Sequence, residues 1–263
     1  MDYSTTSVPA PGASIRVRTA GSGPALVLLP GLGRPAEDLD PMARLLVAAG
    51  YRIIQPDPRG SGGSTGPLDG LTLHDLAGDV AAVIESVGEA GITIVGHAFG
   101  NRIARAVAAN RPDLVRMVVL LGCSGKVQPS PEIAEAIRLA QAVDTDPATR
   151  ARAVADAWFA PGRDTRIWMD GWSQPVMNAY LAAAAATDTA SWWTAGQTRV
   201  VIIQGLADVS APPKNGRLLK QEIGNRAALI ELPGIGHALA VEDPGTIAAV
   251  IVAQLALQDG DRA

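Results

Sequence analysis

Gly96-His97-Ala98-Phe99-Gly100 has the frame of a nucleophile elbow and no nucleophile in it. The pattern G-x-S-x-G holds a serine on a sharp turn between a strand and a helix, where a substrate can reach it. Its glycines let the neighbouring backbones pack closely. The flanks fit: Ile92-Thr93-Ile94-Val95 reads as a short buried strand, and Asn101 to Ala108 as a helix. At the centre, Ala98 offers neither a hydroxyl nor a thiol. Two polar residues stand at matching places further on. Asp208 follows the apolar run ending at Ile203, in Gly205-Leu206-Ala207-Asp208; His237 follows the run ending at Leu232, in Pro233-Gly234-Ile235-Gly236-His237. A histidine base, oriented by a carboxylate and aimed at an elbow residue, is the arrangement that activates a hydroxyl for acyl transfer.

The elements that must position these residues alternate. Ile15 and Val17 alternate with Arg16 and Arg18 as in a half-buried strand. Ala25 to Leu29 is apolar throughout, as in a parallel strand covered on both faces. A loop, Pro30-Gly31-Leu32-Gly33, opens toward a helix over 39–49, and Tyr51 to Gln55 is the next strand, running into Asp57-Pro58-Arg59-Gly60-Ser61-Gly62. Thr72 and Asp75 form a capping box for a helix that places Leu76, Val80, Val83, Ile84 and Val87 on one face. Leu114 to Leu121 is a further buried strand. From about residue 125 to 196 no strand-like run occurs, and helices are expected at 133–142, 150–158 and 174–186. Strands then resume at 200–203 and 228–232, with helices at 214–222 and 244–257. The pattern predicts an α/β fold with a mostly parallel sheet covered by helices on both faces. Residues 1–124 and 197–263 make the core, and 125–196 an inserted helical cap over the carboxyl edge of the strands.

Composition narrows the function. A net charge of −4 without a Lys/Arg cluster argues against nucleic acid as a partner. The apolar runs are short and interrupted, so no membrane span is expected. The start lacks the basic and apolar blocks of a signal peptide, and Cys123 has no second cysteine to pair with; both point to the cytoplasm. His74, His97 and His237 are too scattered for a metal cluster. Neither metal nor cofactor is expected, the partner is a small molecule, and a homodimer is left open.

Over essentially its whole length the chain resembles the capped, single-domain esterases and lactonases of the α/β-hydrolase fold. The resemblance rests on the ordered set: the Pro30–Gly33 loop, the Asp57–Gly62 turn, the elbow, the acid loop and the histidine loop. Position 98, Asp208, His237 is the chain order of nucleophile, acid and base in that fold. The resemblance implies His237 as general base, Asp208 as the carboxylate that fixes its tautomer, and the backbone N–H groups of Leu32 and Phe99 as the oxyanion hole. The chain departs from the pattern at Ala98, where serine is usual, and at Pro30, where histidine is common. Asp57 and Asp243 compete for the role of acid, yet each also suits a turn or a helix N-cap; His74 reads as solvated and His97 as packing.

All five tryptophans fall between Trp158 and Trp193. They can tie the cap to the core, or line an apolar pocket beneath it; Trp172, Trp192 and Trp193 are the pocket candidates. The expected activity is hydrolysis of hydrophobic carboxylic esters or lactones, with this chain nearly inactive because its nucleophile is replaced by alanine. The other readings are a ligand-binding protein without catalysis, a C–C bond hydrolase, and a cofactor-free oxygenase that needs only the His–Asp pair. Dehalogenases and epoxide hydrolases, which carry aspartate at the elbow, fit less well.

Overall fold

The computed structural model describes residues 1–89 and 91–260. Eight strands form one sheet: β1 (Ser4–Ala10), β2 (Ala13–Ala20), β3 (Ala25–Leu29), β4 (Arg52–Pro56), β5 (Ile92–His97), β6 (Val115–Leu121), β7 (Arg199–Gly205) and β8 (Ala227–Leu232). Their order is β1-β2-β4-β3-β5-β6-β7-β8. The β1–β2 and β2–β4 pairs are antiparallel and all others parallel. β1, a strand not expected from the sequence, is an exposed edge with Val8 as its one buried side chain. Pro9, which has no N–H to give a ladder, is tolerated there.

The apolar strands divide their side chains between two layers, as the period of two requires. Ala25, Val27 and Leu29 of β3 pack on one side with α2 (Leu73–Val87) and α3 (Phe99–Asn110). Leu26 and Leu28 face the opposite side, with α1 (Asp40–Ala48) and α9 (Pro244–Gly260). The capping box of α2 forms at both ends: the Thr72 hydroxyl accepts from the Asp75 N–H, and the Asp75 carboxylate accepts from the Thr72 N–H.

Between β6 and β7 the described chain contributes helices alone: α4 (Pro131–Gln141), α5 (Pro147–Trp158) and α6 (Gln174–Ala186), with short 3-10 turns. Each begins with proline at its second position or before, where a missing N–H removes no helical bond. α7 (Lys214–Ile223) follows β7, and a single turn, α8 (Leu239–Glu242), precedes α9. No helix among the described residues is long and apolar enough to cross a membrane. The chain runs from β3 to β4 on one side and later to β5 on the other. This reversal brings the loops after β3 and β5 side by side, the place where open α/β sheets bind ligands.

Candidate active site

The turn after β5 is strained at one residue. Ala98 has φ 50° and ψ −108°, a conformation that L residues seldom adopt. Its N–H donates to the Leu121 carbonyl at 2.9 Å, which ties the turn to β6. The two glycines beside it are steric necessities. A Cβ on Gly96 would lie 2.5 Å from the Gly100 carbonyl oxygen, and one on Gly100 would lie 2.5 Å from the carbonyl oxygens of both Leu29 and Pro30. Strand, turn and helix therefore interlock through bare backbone.

Asp208 and His237 meet at the same sheet edge. The His237 Nδ1 and the Asp208 Oδ2 are 2.9 Å apart. Asp208 is almost wholly buried and is itself held in place: Oδ1 accepts from the Ala211 N–H at 2.7 Å and Oδ2 from the Gln204 amide at 3.2 Å. An ionised carboxylate only accepts, so Nδ1 carries the proton and Nε2 is left as the basic nitrogen. Gly122, at φ 65°, admits the pair: a Cβ there would lie 3.1 Å from Asp208 Oδ2 and 3.4 Å from His237 Nδ1.

Two contacts position the histidine loop. The Trp158 carbonyl, at the end of α5, accepts the N–H groups of His237 at 2.8 Å and Ala238 at 3.0 Å. On the other side the His97 Nε2–H donates to the His237 carbonyl at 2.8 Å. Burial pushes the His97 imidazole down to about 3, with the neighbouring His237 and then Arg34 acting in the same direction. His97 is thus a neutral donor that orients the His237 loop. The Glu242 carboxylate closes the base of the loop by accepting from the N–H groups of Gly236 and Ala160, both within 3.1 Å at their nearer oxygens.

Ala98, His237, Leu32 and Phe99 line one cavity of about 140 Å³. Among the described residues, neither the Leu32 nor the Phe99 N–H is engaged in a backbone hydrogen bond outside helices and strands. Phe99 opens α3, so its N–H has no helical acceptor. The other wall is aromatic. Trp158 stacks on Trp172 at 4.6 Å between ring centroids, and Trp168 stands edge-on to both at 5.5 and 5.8 Å. Arg34 braces this wall from the Pro30–Gly33 side. Its guanidinium lies 4.3 Å over Trp172, forms an ion pair with Asp38, and donates to the carbonyls of Asp170 and Ile167.

The remaining candidates fall elsewhere. Of the three pocket tryptophans, Trp172 lines the cavity, but Trp192 and Trp193 do not. Both are packed in the core, where the Arg105 guanidinium lies 4.7 Å from each ring and Glu222 accepts the Trp193 indole N–H at 2.7 Å. They anchor the end of the helical segment against α3 instead of lining the cavity. Asp57 accepts from Arg16 and from the Gly63 N–H, and Asp243 caps α9 through the Thr246 N–H. His74 bonds to Ser191 and Asn110. Trp158, Trp168, Arg34 and Arg102 line the cavity without having been singled out from the sequence. The five-tryptophan cluster was a visible signal for the first two; nothing in the pattern marked the arginines.

An elbow at the switch point, an acid after β7 and a histidine after β8 define the layout of an α/β hydrolase. The signature of the alpha/beta hydrolase fold family matches residues 24–244, and the chain belongs to that family. A Mycobacterium tuberculosis protein, BpoC, which carries the name of a non-heme bromoperoxidase, is 26% identical over 242 residues, 86% of this chain and 92% of that one. The 2-(acetamidomethylene)succinate hydrolase of Mesorhizobium japonicum is 32% identical over 108 residues, 41% of this chain and 38% of that one. Among solved structures, an esterase from Exiguobacterium antarcticum superposes with a TM-score of 0.81 at 21% identity, covering 95% of this chain and 98% of its own, and so shares the fold.

Proposed function

We propose that this chain carries the binding and acid–base parts of a serine-type hydrolase site for carboxylic esters or lactones, and that Ala98 leaves it nearly inactive. The observation that supports this reading is the buried, hydrogen-bonded Asp208–His237 pair, whose histidine lines the same cavity as a strained elbow residue. In a hydrolase of this kind the His237 Nε2 takes the proton of a hydroxyl on residue 98 as it attacks the acyl carbon. The imidazolium that forms is stabilised by Asp208 and then protonates the departing alcohol. The Leu32 and Phe99 N–H groups receive the tetrahedral oxyanion, each such donor contributing about two to three orders of magnitude in rate. The apolar wall of Trp158, Trp168 and Trp172 suits a ligand with an apolar, ring-bearing body. Alanine at position 98 removes the bond-forming group and keeps the rest, so ligands bind while turnover falls by roughly four to six orders of magnitude.

The test is hydrolysis of a panel of aryl esters and lactones by this chain and by Ala98→Ser, side by side. Turnover by the serine form alone supports the reading, and His237→Ala in that background should abolish it. Equal activity of the two forms would show that residue 98 is not the nucleophile position. If neither hydrolyses any member while ligands still bind, the site serves binding.

A further inference from the structure

Three arginines approach the site, and they differ in what holds them. Arg34 has its donors committed to Asp38 and to two carbonyls. Arg105 is fully buried and donates to the carbonyls of Asn101, Trp193 and Ser124 and to the Asn101 side chain. Among the described residues Arg102, in the first turn of α3, makes a single hydrogen bond, from Nε to the Ser124 hydroxyl at 3.2 Å. Ser124 in turn donates to the Ala98 carbonyl at 3.3 Å, so the guanidinium is tethered one link away from the elbow residue. Its Cζ lies 5.5 Å from the centroid of the Phe99 ring. Both terminal nitrogens are left over, and Arg102 lines the same cavity as Ala98 and His237.

No carboxylate balances this cation. Among the described residues Arg102 forms no ion pair, and its environment lowers its pKa through burial, with Cys123 the one opposing influence. The cavity wall holds Arg34, Arg102, His97 and His237 and no aspartate or glutamate. Both terminal nitrogens stay open to the cavity, as neither is shut off from solvent. There the guanidinium's fork of donors matches the two oxygens of a planar carboxylate. The open N–H of Phe99 at the start of α3 adds to the positive potential at the same wall.

We propose that Arg102 is a specificity-determining residue that receives a carboxylate of the ligand, so that the ligand class is a monoanionic ester or lactone with an apolar, ring-bearing body. The carboxylate sits on Arg102, the ring against Trp158, Trp168 and Trp172, and the acyl carbon over position 98. The substrate class rests on the hydrolase reading above; the anion subsite itself does not.

The experiment has two arms. In the first, the unaltered chain is titrated with phenylacetate and with its neutral methyl ester, read by quenching of the cavity tryptophans. Phenylacetate should bind roughly ten- to a hundredfold more tightly than the ester, the range expected of a hydrogen-bonded charge pair. Arg102→Met should bring the ratio close to one, and Arg102→Lys, which keeps a point charge without the fork, should restore part of it. In the second, Ala98→Ser is assayed on phenyl butyrate and on the monophenyl ester of succinate, with and without Arg102→Met; the preference in kcat/KM for the anionic ester should collapse with Arg102→Met. A carboxylate preference that survives Arg102→Met, an absent preference, or no saturable binding of phenylacetate overturns the subsite. Hydrolysis of both esters without an Arg102-dependent preference overturns it and leaves the hydrolase reading standing. Arg102-dependent binding of phenylacetate without any hydrolysis by Ala98→Ser does the reverse.

Discussion

His97 makes the stability of this protein depend on pH in a way that one substitution isolates. Its side chain is buried beneath the His237 loop, with Nε2–H on the His237 carbonyl at 2.8 Å. Burial pushes it from 6.5 down to about 3. The unfolded chain therefore binds a proton at this residue over a range where the folded chain does not. Stability from neutral His97 is fully present above the unfolded value, and it is lost as pH falls from 6.5 toward about 3. At 1.36 kcal/mol per unit, the loss between about pH 7.5 and about pH 4.5 is roughly 3 kcal/mol. His97→Gln retains an amide donor for the His237 carbonyl and has nothing to titrate. It should unfold more easily at neutral pH, by about 1–2 kcal/mol. The acid limb of its stability curve should be shallower than that of the unaltered chain by the same roughly 3 kcal/mol. Urea unfolding of both chains across this range measures the difference, and contributions from other titrating groups cancel between them. Parallel acid limbs would refute the reasoning, because they would mean that His97 is protonated in the folded state or reachable by water.

Three further outcomes follow from the same contacts. Asp208→Asn in an Ala98→Ser background should reduce kcat by about four orders of magnitude with the fold intact, since the amide can favour the wrong imidazole tautomer; a reduction under tenfold would remove Asp208 from the role of acid. Arg59 and Asp79 form a buried ion pair with contacts of 2.6 and 2.8 Å, so Asp79→Ala, which leaves the guanidinium without its carboxylate, should destabilise by about 3–5 kcal/mol in urea unfolding. Gly78→Ala and Gly100→Ala should act in opposite directions on the melting temperature. A Cβ at Gly78 in α2 meets nothing within 4 Å and should add about 0.5–1 kcal/mol of stability. One at Gly100 strikes the carbonyls of Leu29 and Pro30 and should destabilise.

What could be read from the sequence depended on how local its cause was. The elbow was legible because two glycines and an apolar run state a backbone problem, close approach of strand and helix, within nine residues. Asp208 and His237 were legible because each ends an apolar run, and strand ends share one edge of a parallel sheet. β1 was missed because an edge strand with one buried side chain writes almost no alternation. The tryptophans show the limit more sharply. Trp172 and Trp192 lie in one strandless stretch, and composition cannot say which side of it faces the cavity. The answer lies in distant partners: Arg34 over Trp172 on one side, Arg105 against Trp192 on the other. Arg102 and Arg105 repeat the lesson on a single helix. They are three residues apart in α3, alike in type, yet one is saturated by carbonyls and the other opens on the site.

The coupling between the helical segment and the histidine loop was equally invisible, and it bears on how the site works. The carbonyl of Trp158 takes the N–H groups of His237 and Ala238, while the Trp158 ring forms part of the cavity wall. One residue at the end of α5 therefore holds the His237 loop and forms part of the cavity wall. A ligand that shifts the Trp158 ring acts on the backbone that orients the imidazole, and a shift of the His237 loop acts on the wall. The helical segment is then tied through backbone hydrogen bonds to the loop that carries His237, the partner of Asp208. Replacing it would disturb the His237–Asp208 geometry even where every core residue is kept.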